Sequence, residues 1–162
     1  MDTYCFRLLY NGELVGAMLF GNLGMANAWK KYASNPNEVI ELRRLCCIDD
    51  TPRNTESYFI GYALRWLKSH TNIKCVVSYA DPEYGHNGGI YKASNFKFIG
   101  HTSAGRVIIW KGKRYHDKAI RTKYNGKLMP YAEALRKALD SGEATYRETS
   151  GKYIYIYKLG RE

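Results

Sequence analysis

Between Val76 and Phe96 the chain reads VVSYADPEYGHNGGIYKASNF, a stretch that gathers a carboxylate, an imidazole and a phenol just beyond an apolar run. Asp81 closes that run and precedes Pro82. The placement suits a turn former, and it equally suits a carboxylate at a strand end that deprotonates or orients an attacking amine. His86 lies in a glycine-flanked segment and has three open roles: general base, phosphate contact, or metal ligand beside Asp81. Tyr91 carries a phenol with an ordinary pKa of about 10, neutral at pH 7 and so able to give up a proton. Ser78 and Tyr79 are consecutive on a strand and face opposite sides, so either can line a pocket. Together these groups suit the transfer of a group from one molecule to another. No HxD or HxxxH pair is present, so no metal ligands are assigned and an iron-assisted route has no support from spacing.

Several elements must hold these residues in place. YCFRLLYNGELVGAMLFG reads as two strands joined by Asn11-Gly12, the pair that favours a tight type I′ turn. NAWKKYA reads as a short helix ended by SNPN, and VIELRRLCCI (Val39 to Ile48) as a central strand. After DDTPRNTES, with Thr51 or Asn54 as the cap, a helix runs to about Lys68. Its buried stripe is Phe59, Ile60, Ala63, Leu64 and Leu67. IKCVVSYA is then a second buried strand, and the strand–helix–strand order predicts a parallel pair with a right-handed crossover. FKFIGHT and RVIIWKG read as a hairpin-like pair, the region after Gly112 as a basic helical segment, and Tyr131 to Leu139 as a further helix. KYIYIYKLG alternates strictly, with Tyr153, Tyr155 and Tyr157 on one face of a strand. The expected organisation is a core over 1–112, with 113–162 a basic helical segment and a Tyr-rich strand packing on the same domain.

The 162 residues are enough for a buried core, and 45% hydrophobic with 25% charged residues describes a globular chain. No apolar run approaches the roughly 20 residues of a membrane span, and the amino terminus lacks a signal-peptide core. The expected location is the cytoplasm. Four cysteines, with no CxxC among them, predict reduced thiols rather than a disulfide framework. The net charge of +10 is uneven. Between Arg106 and Lys127 eight basic residues face a single acid, Asp117, with Trp110, Tyr115 and Tyr124 interleaved. Cations interleaved with aromatics suit a nucleic-acid backbone and its bases. Lys111, Lys113, Arg114, Lys118, Arg121 and Lys123 are the candidate contacts.

The order of elements resembles the GNAT acyltransferase fold: α/β (α+β), a mixed, centrally splayed sheet flanked by helices, here with a basic C-terminal extension. From Val39 to Gly100 the resemblance narrows. ELRRLCCIDDTPRNTESYFIGYALRWL and SYADPEYGHNGGIYKASNFKFIGHT are similar to the Mom family of bacteriophage DNA modification proteins. That resemblance implies an anti-restriction enzyme in the host cytoplasm that converts the exocyclic amine of adenine in double-stranded DNA to a carbamoylmethylamino group. It implies a reaction in the wedge between two splayed strands, with Asp81, Tyr91, His86 and Ser78 as catalytic candidates. Tyr91 takes the place where GNAT enzymes often keep a tyrosine that protonates the leaving group. Arg53, Asn54 and Ser57, near the helix start where GNAT enzymes cradle coenzyme A, and Arg43 are the candidates for donor or phosphate binding.

Here the sequence departs from the pattern. RNTES has none of the expected glycines, and Asp49, Asp50 and Glu56 repel a pyrophosphate. Acetyl-CoA is therefore disfavoured and no tightly bound cofactor is expected. The carbamoylmethyl group contains the atoms of a glycyl unit, which points to an activated glycine such as glycyl-tRNA as donor, with tRNA a second partner. A flipped-out adenine is implied, with Trp110 or Tyr115 stacking on it or taking its place. A homodimer is left open. The alternatives are a GNAT acetyltransferase acting on RNA or protein with acetyl-CoA, and an inactive nucleic-acid-binding module with this fold.

Overall fold

The computed structural model describes residues 3–160. Asn11 and Gly12 take φ angles of 51° and 85°, and the turn they make joins β1 (Tyr4–Tyr10) to β2 (Glu13–Gly21) in antiparallel register. After two 3-10 turns, Ala28–Lys31 and Pro36–Glu38, the chain enters β3 (Val39–Cys47). Next comes α1 (Thr55–His70), whose buried side chains are Phe59, Ile60, Ala63, Leu64 and Leu67, the stripe expected from the sequence. Asn54 holds the cap position with left-handed backbone at φ 69°, and its side chain makes no capping bond. The chain returns as β4 (Cys75–Ala80), parallel to β3, and continues through α2 (Gly89–Ala93) to β5 (Lys97–His101).

The following stretch holds β6 (Gly105–Trp110), β7 (Lys113–His116), a 3-10 turn at Asp117–Arg121, and the short strands β8 (Lys123–Tyr124) and β9 (Lys127–Leu128). α3 (Pro130–Asp140), β10 (Ala144–Thr149) and β11 (Tyr153–Lys158) complete the order. The chain forms two compact units, Met1–Thr102 with Lys152–Glu162, and Ser103–Gly151.

The first unit holds a six-stranded sheet in the order β1-β2-β3-β4-β11-β5. Met18, Phe20, Ile40, Leu42 and Val76 are buried from solvent and pack with the α1 stripe into one core. At about 2 kcal/mol for each large side chain removed from water, this face is the main source of stability. The Tyr-rich strand is interior, between β4 and β5. Its Tyr155 is 2% exposed.

The second unit is a three-stranded sheet, β10-β6-β7, with the β8–β9 hairpin beside it. Two expectations change here. FKFIGHT and RVIIWKG do not pair with each other: β5 pairs with β11 and β6 with β10 and β7. Residues 113–128 are not helical but form β7, the 3-10 turn and the hairpin, because their apolar residues lack a sustained 3.6-residue spacing. The units divide after Thr102 and before Lys152 rather than at residue 112, so the Tyr-rich strand shares a sheet with the amino-terminal strands.

Candidate active site

β3 and β4 share three parallel rungs: Val39 with Cys75, Ile40 with Val76, and Glu41 with Val77. Beyond them each strand follows its outer neighbour. β3 stays paired with β2 as far as Cys47, and β4 with β11 as far as Ala80. The two strands therefore part at Leu42 and Ser78. Where they part, the Ser78 hydroxyl donates to the Leu42 carbonyl at 3.2 Å.

A cleft of about 750 Å³ opens at the carboxyl ends of these strands, with Asp81, His86 and Tyr91 among its lining residues. Asp81 begins a 3-10 turn, and its carboxylate accepts the Glu83 N–H at 3.1 Å. Its other oxygen lies 3.7 Å from the Lys152 ammonium. One residue thus shapes the turn and presents charge to the cleft. His86 is exposed, and its backbone N–H donates to the Asp81 carbonyl at 3.2 Å.

Tyr91 is half-buried on α2, its ring tilted against Phe96 and Tyr155 at centroid distances of 5.6 and 5.5 Å. Burial pushes its phenol pKa up, opposed by a hydrogen bond with Ser78 and helped by the negative charge of Glu41. It holds its proton at neutral pH. Ser78 is fully buried and touches the site through Tyr91 and the strand fork rather than through the cleft wall. The loop that carries these groups is fixed by β11: the Tyr155 hydroxyl donates to the Asn87 carbonyl at 2.8 Å. A Cβ at Gly88, which has φ of 77°, would run into the Tyr155 ring.

Sequence reasoning missed three members of this neighbourhood. Arg44 and Lys152 line the cleft, Lys152 being distant in sequence and brought there by β11. Glu41 occupies the last parallel rung, and its carboxylate accepts the Gly24 N–H at 3.1 Å. Burial raises its pKa against the opposing Gly24 bond and the nearby charges of Arg43, Lys152 and Arg44. A carboxylate inside an apolar strand was the available signal. Tyr79, also lining the cleft, has its pKa raised by burial and by a hydrogen bond with Tyr32.

The donor-binding candidates do not stay together. Arg43 lines the cleft, with its guanidinium donating to the Asn22 carbonyl at 3.0 Å. Asn54 and Ser57 line a separate groove of about 470 Å³ along α1. Arg53 is exposed before that helix and lines neither. The six nucleic-acid candidates Lys111, Lys113, Arg114, Lys118, Arg121 and Lys123 are all exposed and all belong to the second unit. Trp110 and Tyr115 are partly buried and pack against the cluster of Ile108, Leu135, Ala138 and Ala144 in that unit. Among the described residues no three His, Cys, Asp or Glu side chains form a group able to hold a metal ion, and no helix is long and apolar enough to cross a membrane.

The sheet, with its parallel strand pair that splits over a cleft, belongs to a fold shared with solved acetyltransferases. A GNAT-family acetyltransferase from Streptococcus pneumoniae superposes with a TM-score of 0.53 at 9% identity, over 98% of this chain and 67% of that one. An N-acetyltransferase from Staphylococcus aureus Mu50 gives 0.52 at 13% identity, over 96% and 67%. The fold is that of the GNAT acyltransferases. More specifically, the family model of the Mom protein family matches residues 1–162, and the chain belongs to that family. It is 35% identical over 131 residues to methylcarbamoylase Mom of Escherichia phage Mu, an alignment covering 72% of this chain and 49% of that protein. The chain thus spans about half the length of this curated relative.

Proposed function

We propose that this chain is a phage DNA-modification enzyme that builds a carbamoylmethyl group on the N6 amine of adenine in DNA, drawing on an activated glycine such as glycyl-tRNA. The observation that carries the reading is the cleft at the strand fork. It brings Asp81, His86 and a proton-bearing Tyr91 to one opening in a chain of the Mom family. The name of the phage Mu relative, a methylcarbamoylase, supports the product class. Arg43, Arg44 and Lys152 give the cleft cationic walls that suit polyanionic substrates.

The adenine amine attacks the glycyl ester carbonyl while Asp81 accepts its hydrogen bond and proton. Tyr91 gives its proton to the departing ribose oxygen, so the ester C–O bond breaks as the N6–C bond forms. The freed glycine amine then attacks ring carbon C6, closing a five-membered ring. Cleavage of the original C6–N6 bond leaves C6–NH–CH₂–CO–NH₂, so the old exocyclic nitrogen becomes the amide and the glycine nitrogen becomes the new N6. No oxidant or reductant is consumed. Ser78 positions the phenol, and His86, exposed at the cleft, suits a phosphate contact. Acetyl-CoA fits poorly, since direct acetylation leaves the wrong product and the Glu56 carboxylate stands in the cleft beside the start of α1.

Incubation with duplex DNA and glycyl-tRNA carrying ¹⁵N-glycine tests this reading, followed by nucleoside mass spectrometry. The expected product is a modified deoxyadenosine whose label stays on the nitrogen attached to the purine ring after loss of the side chain. Label on a terminal amine, as in an unrearranged N6-glycyl product, rules out the rearrangement. Product formed without labelled glycine rules out the donor.

A further inference from the structure

Three large aromatic side chains of Ser103–Gly151 are strongly exposed: Tyr124, Tyr131 and Tyr146, at 71%, 43% and 42%. The Tyr146 ring is already covered by the Arg106 guanidinium, 4.1 Å from its centroid, and Tyr131 lies in the first turn of α3. Tyr124 stands on the β8–β9 hairpin immediately before its turn, where Asn125 and Gly126 have φ of 47° and 77°. Such a turn twists with its strands and makes a stiff, narrow tip.

The base of the hairpin is anchored. The Met129 N–H donates to the Thr122 carbonyl at 3.0 Å and the Arg136 guanidinium to the Ile120 carbonyl at 2.8 Å. Asp117 receives Arg106 and Arg121, each at 2.9 Å. Lys127 pairs across the hairpin with Tyr124, Lys123 precedes it, and no acidic residue occurs between Asp117 and Glu133. An exposed ring among cations, on a support that does not need ordering, matches base stacking beside phosphates. A two-stranded ribbon is also narrow enough to enter a DNA groove.

We propose that this hairpin is a DNA wedge, which inserts Tyr124 into a duplex where one base has left the stack. The inference rests on the reading of the chain as an adenine-modifying enzyme, because a stacked adenine cannot bring its amine into a cleft. Tyr124 supplies the aromatic face that fills the gap and keeps the flanking pairs apart. Trp110 and Tyr115 are partly buried against Ile108 and Leu135, whereas Tyr124 is far more exposed.

The test uses the full chain and two fluorescently labelled DNA duplexes that differ only in one abasic site. Wild type is expected to bind the abasic duplex on the order of tenfold more tightly, the share of one stacked base. Tyr124→Ala brings that ratio to one and Tyr124→Trp restores it. Lys123→Gln and Lys127→Gln weaken both duplexes alike and leave the ratio intact. No preference in wild type, or a preference retained by Tyr124→Ala, overturns the proposal. Nucleoside mass spectrometry on the same preparations separates the two ideas. A Tyr124-dependent preference in a protein that makes no modified adenine supports the wedge and removes the enzyme reading. Full modification of duplex DNA by Tyr124→Ala with the preference unchanged removes the wedge and leaves the enzyme.

Discussion

In the unit built on the six-stranded sheet, several polar side chains are shielded from solvent. Ser78 is buried at the strand fork, while Glu41, Tyr79 and Tyr91 are shielded enough to shift their proton affinities. In Ser103–Gly151 the order is reversed. A small core around Ile108 and Leu135 carries lysines and arginines on its outside, and its carboxylate Asp117 is engaged by two arginines. Tuning a proton takes a large apolar surround, whereas holding a polyanion takes charges that remain in water. The difference is consistent with the proposed reading, in which the first unit carries the chemistry and the second contributes much of the binding.

That division of labour breaks most visibly at Tyr91. Tyr91→Phe keeps the ring contacts with Phe96 and Tyr155 and removes the proton, so product formation is expected to fall by about 100-fold or more while DNA affinity stays unchanged. A drop in affinity in a filter-binding assay would mean that the cleft also carries binding. The converse pair, Lys113→Gln with Lys118→Gln, should lower the slope of log K against log salt by about 2, since each phosphate left without its lysine accounts for roughly 0.9. It should leave single-turnover modification at saturating DNA as it was. An unchanged slope would remove these lysines from the interface.

The smallest effect sharpens the contrast at Glu41. Its pKa in the folded chain lies above the ordinary 4.5. Such a carboxyl binds its proton more tightly folded than unfolded, so its contribution to stability is complete below about 4.5 and is lost as pH rises through the folded value. Glu41→Gln keeps an acceptor for the Gly24 N–H and carries no charge. It is expected to melt above wild type at pH 7 and level with it in acid, by calorimetry at the two pH values. Equal melting at pH 7 would show that the charge is not held at a cost.

Much of this architecture was legible because local chemistry dictated it. Asn11-Gly12 set one hairpin, the stripe from Phe59 to Leu67 set the helix, and the alternation from Tyr153 to Tyr157 set a strand. What escaped depended on distance along the chain. β5 takes β11 as its hairpin partner rather than the nearer β6, and nothing in FKFIGHT encodes that choice. Lys152 reaches the cleft for the same reason, and Glu41 is unremarkable until burial is known. Asp81, His86 and Tyr91 line one cleft because they follow one another from the end of β4 to α2, while Arg53, Asn54, Ser57 and Arg43 were grouped in sequence and fall in different places.

The Thr102 N–H donates to the Lys152 carbonyl and the Lys152 N–H to the Thr102 hydroxyl, both at 2.9 Å. The chain therefore leaves and rejoins the sheet at a single rung, as though an ordinary hairpin had been opened at its tip to admit a passenger. A segment that enters and leaves at one rung can vary in sequence or length without interrupting any strand of the six-stranded sheet.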